Sequence, residues 1–395
     1  MGLLTGAEWC FDTSQRMPSC DKCGLDKQCI SPHMRPTGEG KQKALIVAES
    51  PGKEEDQQGI QLIGKAGQRL RSVMDDLGWD LDQDCWKSNC VICRPKDNKM
   101  QDKYIECCRP TLLRTVEELN PEVIILLGAS AVKSFLGQYW EKDIGSIGRW
   151  VGWKIPLQPT NMWICPTYHP LYLERTRDPA LEGWFRRHLE AAFELEGRPW
   201  RKVPDVMSEV EVIKSPDEAA EWLMRRKHRG DAAAISFDYE TNMLKPDHPD
   251  ARIVACSVCW GGKWTIAFPW EGEAIKAMGE LLRSEVPKYS HNLKFEERWT
   301  RRILGHGVKN WAWDGMQAAH VLDGRTGITS LKFQAFVQFG LPLWNKTVEP
   351  YLEADGGNQK NRIDKCDLHE LLLYCGLDSL IEFRLAKKQM KEMAK

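Results

Sequence analysis

Three short apolar runs constrain the first half of this chain most. Ala44–Ala48 (ALIVA), Pro121–Gly128 (PEVIILLG) and Met162–Pro166 (MWICP) are too short for independent helices and read as near-continuous buried strands. Helical patterns lie between them. Leu70, Val73, Met74 and Leu77 fall at i, i+3, i+4 and i+7, and a second helix over Ser130–Leu136 stops at a glycine. Strand–helix alternation predicts a parallel sheet whose ligand site lies beyond the carboxyl ends of its strands. Polar residues stand at such ends: Glu49 after the first run, Asn89 in KSNC, and His169 after the third. An acid, an amide and an imidazole therefore have a structural reason to converge.

A chain of 395 residues is too long for one core, since single cores rarely grow past ~250–300 residues. The polar, Pro-containing stretch Glu194–Asp217 reads as a linker and entry into a second domain, predicting domains at 1–200 and 201–395. A formal net charge of -1 leaves any nucleic-acid contact to local basic patches. No apolar run is long enough to span a bilayer, and the N-terminus lacks a signal-peptide core. Fourteen cysteines without such a signal point to a reducing cytoplasm, with thiols kept for metal or burial. The 17 tryptophans show no spacing that singles one out and read as packing.

In the second half, Ala232–Tyr239 reads as a strand, and Arg252–Trp260 with Lys263–Phe268 as a hairpin around Gly261-Gly262. After Tyr289 the pattern reads as helical to the end. Asp238 and Glu240 are two apart on a strand and share a face. Tyr374 and Asp378 are four apart on a helix and share a surface. Between them, Ser290–Glu296 (SHNLKFE) reads as a strand running into a helix. Three carboxylates and a tyrosine from separate elements suit two Mg²⁺ or Mn²⁺ ions that activate water against a phosphodiester.

Three CxxC pairs occur: Cys20/Cys23, Cys90/Cys93 and Cys256/Cys259. The third lies in a strand, where a spacing of three sends the thiols to opposite faces, so it reads as packing. The first lies in a glycine-bearing loop able to wrap a metal. Its partners as zinc ligands would be Cys90 and Cys93, but 66 residues separate Cys23 from Cys90, against ~15–20 in a zinc ribbon. The other choice is Cys93 with Cys108, each followed by Arg-Pro; Cys29, Cys90 and Cys107 are their near neighbours.

Residues 18–190 resemble a family 4 uracil-DNA glycosylase. The resemblance is carried by AESPGKEED…GKAG at 48–67, NCVICRP at 89–95, CRPTL at 108–112, LLGASA at 126–131 and PTYHPLYLER at 166–175. It implies a three-layer α/β/α domain and a structural [4Fe–4S] cluster on Cys20, Cys23, Cys93 and Cys108. It also implies catalytic roles for Glu49, Asn89 and His169, and substrate contacts at Gly52 and Leu62. Those roles agree with the chemistry. Asn89 can donate to and accept from a flipped uracil edge, His169 can meet negative charge on the departing base, and Glu49 can position water and balance charge on the sugar. Leu62 stands where the family places an aromatic ring.

Residues 230–390 resemble the DEDD 3′–5′ exonucleases with tyrosine in the third motif, as in the proofreading domain of family A DNA polymerases. That resemblance implies a ribonuclease H-like (DnaQ-type) α/β domain with Asp238, Glu240 and Asp378 as metal ligands. Tyr374 would orient water and Asn292 contact substrate; Glu296 stands where an aspartate is usual, and Asp314 and SLKFQAF at 330–336 echo the intervening helices. The expectation is a two-domain DNA enzyme that excises uracil and trims single-stranded 3′ ends. Because the chain ends at Lys395 without room for a polymerase, the alternative is a polymerase-associated proofreading subunit whose first domain only binds DNA or a partner.

Overall fold

The computed structural model describes residues 20–231 and 233–395. Two compact units divide the chain, one running to Val203 and including Phe336–Pro342, the other comprising Pro204–Ala335 and Leu343–Lys395. The expected first domain's residues 1–19, and Ala232 at the expected start of a strand, lie outside the described residues.

The first unit holds a five-stranded sheet in the order β2-β1-β3-β5-β4. Its strands are β1 (Ala44–Ala48), β2 (Cys85–Asn89), β3 (Val123–Leu127), β4 (Ile155–Leu157) and β5 (Met162–Thr167), parallel except for β4. Alternate side chains of the buried strands serve both faces. Val123, Ile125 and Leu127 pack with Leu70, Val73 and Met74 of the helix Lys65–Asp76 and with Phe185 and Leu189 of the helix Pro179–Phe193. The helices Asp102–Leu119 and Ala129–Phe135 complete a three-layer α/β/α arrangement. Strand order reverses at β1, so the crevice beyond its carboxyl end is the expected ligand position.

The second unit's sheet has the order β11-β10-β7-β8-β9-β6. β7 (Ile235–Thr241), β8 (Ile253–Trp260) and β9 (Trp264–Pro269) form an antiparallel meander; β10 (Lys288–Ser290) and β11 (Trp311–Asp314) add in parallel on the far side of β7. This is ribonuclease H-like topology, with β6 (Val210–Val212) as an extra edge strand parallel to β9. On one face Ile235, Phe237 and Tyr239 pack with Trp222, Leu223, Met278 and Leu281. The other face, carrying Ser236, Asp238 and Glu240, meets the long helix Leu368–Met393, and Ser236 Oγ donates to the Ser379 carbonyl at 2.6 Å.

Two local readings need correction. The region after Tyr289 is not helical throughout, because β10 extends to Ser290 and β11 occupies Trp311–Asp314; four residues of a sheet edge are too few to show alternation. The stretch Glu194–Asp217 needs none: it contains the division at Val203/Pro204 and then β6 and the start of the helix Pro216–Arg229. Cys20–Cys23 is a single helical turn rather than a loop, closed by Gly24 at φ +69 with its N–H on the Cys20 carbonyl at 2.7 Å. Cys256 and Cys259 do enter cores on opposite faces of the sheet. Among the described residues no helix is long and apolar enough to cross a membrane.

Candidate active sites

In the first unit, Glu49 follows β1 and Asn89 ends β2, and the two strands lie in register with Ala48 opposite Asn89. Beyond the sheet the Cys90 and Val91 N–H groups continue onto the Ala48 and Glu49 carbonyls at 2.8 and 3.1 Å. Glu49 and Asn89 are thus held at neighbouring strand ends. Ser130, in the first turn of the helix after β3, donates its hydroxyl to Glu49 Oε2 at 2.7 Å. Gly128 precedes that helix at φ +87, and a Cβ there would come within 2.9 Å of the His169 Cβ. The absent side chain lets His169 approach.

His169 caps the helix Pro170–Thr176, its Nδ1 accepting the Leu171 N–H at 3.3 Å. That bond leaves the proton of the neutral ring on Nε2, a donor. Burial pushes the imidazole pKa down against the pull of nearby Glu49, so the neutral form is favoured. Asn89 is buried and donates its amide to Gln61 Oε1, and Gln61, also buried, donates to the Arg35 carbonyl at 3.3 Å. The next residue, Leu62, is at φ +53 and packs in the core with Leu70 and Leu173. The Gly52 N–H goes to Glu55 Oε2 at 3.0 Å, and Glu55 Oε1 accepts the Ile63 and Gly64 N–H groups at 3.1 and 2.7 Å. Glu55 therefore ties the Gly52 turn to the Gln61–Gly64 loop, and the Gly52 amide is committed to it. Gln61, Ser130 and Glu55 were missed by sequence reasoning; the acidic run KEED at the helix start was the signal for Glu55.

Cys20, Cys23, Cys93 and Cys108 line a single cavity of about 560 Å³, together with Cys107 and His33. Burial raises the thiol of Cys93 to about 12 and of Cys108 to about 11. Cys90, the rival ligand, turns its thiol to the Glu49 carbonyl at 3.0 Å and does not line the cavity.

In the second unit, Asp238 and Glu240 project from β7, and ligand atoms of both lie within 4.8 Å of the Cys375 thiol. Asp378 Oδ1 accepts Trp344 Nε1 at 2.7 Å and pairs with Lys332, whose ammonium sits 4.4 Å from the Tyr374 ring centre. Glu296, buried, accepts the Ser290 hydroxyl at 2.7 Å. Burial and then the charge of Asp378 raise Asp238 to about 8. Burial with the charge of Asp238 likewise raises Glu240 and Glu296. Asn292 sits at φ 84 at the head of the helix Leu293–Leu304 without a side-chain cap bond. Its N–H and that of Leu293 go to Asp314, both at 3.2 Å, so Asp314 secures this turn from β11. Glu297, the neighbour of Glu296, is spent on Val308 and Trp311. Lys332, Trp344 and Glu382 were missed, although Lys332 lies within the SLKFQAF segment.

The family model for the uracil DNA glycosylase superfamily matches residues 36–193. A type-4 uracil-DNA glycosylase of Pyrobaculum aerophilum is 35% identical over 187 residues, covering 44% of this chain and 88% of the relative. Through its first unit the chain belongs to the type-4 uracil-DNA glycosylase family. A DNA polymerase of Bacillus phage SP01 is 22% identical over 386 residues, 90% of this chain and 40% of the polymerase. Among solved structures, Escherichia coli RNase D, an exoribonuclease involved in structured RNA processing, aligns with 47% of this chain and 45% of its own at a TM-score of 0.35 and 13% identity.

Proposed function

We propose that the first unit excises uracil from DNA and the second hydrolyses DNA from its 3′ end. The observation that carries the first half is the placement of Glu49, Asn89 and His169 at the carboxyl ends of β1, β2 and β5 of one sheet, in a family member. Ser130, from the helix after the intervening β3, is bonded to Glu49, and the charge of Glu49 acts on His169. A uracil flipped from the stack, at a cost of about a few kcal/mol, would exchange its edge for the Gln61 contact on the Asn89 amide. His169 would direct its Nε2 proton at the oxygen of the departing base as negative charge grows there. Glu49, oriented by Ser130, would face the sugar's positive charge and hold the water that completes cleavage. Leu62 would supply apolar contact but not the ~1–3 kcal/mol of base stacking on an aromatic ring.

The thiol-lined cavity fits a [4Fe–4S] cluster, with Cys20, Cys23, Cys93 and Cys108 as its holders; thiols with burial-raised pKa values are relieved when a metal replaces their protons. Such a cluster supplies a cross-link between the Cys20–Cys23 turn and the sheet rather than electrons.

For the second unit the carrying observation is that Asp238, Glu240 and Asp378 crowd one face with Tyr374. Oxygen donors of this kind fit two divalent cations, Mg²⁺ or Mn²⁺, with Asp238, Glu240 and Asp378 as ligands and Glu296 acting through water. Bound there, the cations supply Lewis acidity to the scissile phosphate and lower the pKa of water. Tyr374, beside Asp378 one helical turn away, would orient the attacking water. The match of the chain to a phage DNA polymerase supports a place beside DNA synthesis, with a polymerase as candidate partner.

One assay tests both halves. A 5′-labelled single-stranded oligonucleotide carrying one uracil should give an alkali-labile site with or without EDTA, and a 3′-shortened ladder only with Mg²⁺ or Mn²⁺. Failure to release uracil under any condition would reduce the first unit to a binding module; trimming that survives EDTA would remove the metal reading.

A further inference from the structure

The helix that presents Tyr374 and Asp378 carries one more acid on the same stripe. Glu382 follows Asp378 by four residues, one turn further along Leu368–Met393. Its residue is 4% exposed. Oε1 accepts the backbone N–H of His291 at 3.2 Å, while Oε2 is buried without a hydrogen-bond partner among the described residues. The charges it meets are those of Asp238, Glu296 and Asp378.

That environment is wrong for a purely structural carboxylate. One oxygen suffices for the His291 N–H, and a glutamine could accept that bond without adding a charge. Lys332 is already paired with Asp378. A buried carboxylate oxygen left without donor or cation is strongly disfavoured, and three neighbouring acids add repulsion. A cation arriving among these acids would answer both costs. Glu296 reaches the same neighbourhood from the helix Leu293–Leu304, with one oxygen satisfied by Ser290. Asp238 is thus flanked by one acid from each of two helices.

We propose that Glu382 is a fifth carboxylate of the divalent-cation site, giving its free Oε2 to the coordination of the ion that Glu296 also serves. The assignment rests on the nuclease reading of this unit. It makes the site broader than its Asp238–Glu240–Asp378 core.

The test is a Mn²⁺ titration of the full chain followed by electron paramagnetic resonance, which counts bound ions without relying on activity. Wild type should bind two ions. Glu382→Gln, which keeps an acceptor for His291, should weaken the second ion ~10–100-fold, the scale seen when groups supporting a metal site are removed. Circular dichroism should show unchanged helix content. Wild-type affinity for both ions in Glu382→Gln overturns the proposal. If that variant fails to fold, Glu382→Asp decides in the same titration: its shortened side chain must also weaken the second ion, and unaltered binding overturns the proposal. A wild-type protein that binds no Mn²⁺ overturns the nuclease reading itself, whereas two ions bound equally by wild type and variants overturn the role of Glu382 alone.

Discussion

The two sites meet their own charges in opposite ways. At the first, each functional group has a neutral companion: Ser130 for Glu49, Gln61 for Asn89, and the Leu171 N–H for His169. At the second, Asp238, Glu240, Glu296, Asp378 and Glu382 share one neighbourhood, with Lys332 paired to Asp378. Two carboxylates ~5 Å apart at an effective dielectric of ~20 repel by about 3 kcal/mol. On the proposed reading the first site is therefore set for its chemistry as it stands, while the second would hold protons until divalent cations replaced them. Preorganisation through neutral hydrogen bonds suits a leaving base that only needs donors, whereas crowded carboxylates suit a group that draws in positive charge.

The sharpest break between the two is genetic. Asp238→Ala should bring metal-dependent trimming of a single-stranded oligonucleotide below detection while uracil release continues; loss of both activities would mean that the two sites depend on one another. In the converse direction, Asn89→Ala should slow uracil release ~10²–10³-fold, as when one preorganised donor is deleted, and leave trimming unaltered in a gel assay of the same substrate.

Charge also separates the two regions by pH. Folded Asp238 keeps its proton to about 8, whereas an unfolded aspartate loses it near ~4. Between those values folding takes up a proton, so in EDTA the stability of the second unit should fall as pH rises from 5 to 8. Saturating Mn²⁺ at pH 8 should restore it. Calorimetry that finds a pH-independent transition in EDTA would remove the account of this site as a proton-holding cluster.

A milder effect is expected at the thiol cavity. Cys93→Ser or Cys108→Ser should cost the protein its iron and visible absorbance and lower the melting temperature of the first unit, whereas Cys90→Ser should keep the iron. Iron retained in the first two would require another ligand, with Cys107 the residue already at the cavity wall. The smallest change should follow Gln61→Ala. Freeing Asn89 from a net ~0.5–1.5 kcal/mol hydrogen bond should alter the KM for uracil-containing DNA only a few-fold, with kcat nearly constant.

Legibility followed the range of the interaction. The β-strand alternation that puts Asp238 and Glu240 on one face, the helical spacing that aligns Tyr374 with Asp378, and the apolar runs that became β1, β3 and β5 are local geometry and could be read directly. Edge strands β6 and β11 could not, being three and four residues long and defined by hydrogen bonds to distant partners. Glu49 and Ser130 are 81 residues apart, and Lys332 and Asp378 are 46 apart. No periodicity records such pairs.

What the amino-acid order determined by itself was therefore the class of each unit and the acids, amide, imidazole and thiols it would bring to its strand ends. Which neighbours satisfy those groups was decided only in the folded chain. Gln61 on Asn89, Cys93 and Cys108 rather than Cys90 in the cavity, and Glu382 among the acids all follow from packing between elements far apart in sequence. The reason is physical: backbone periodicity fixes the direction in which a side chain leaves its own element, but its partner is set by which other element the core brings against it.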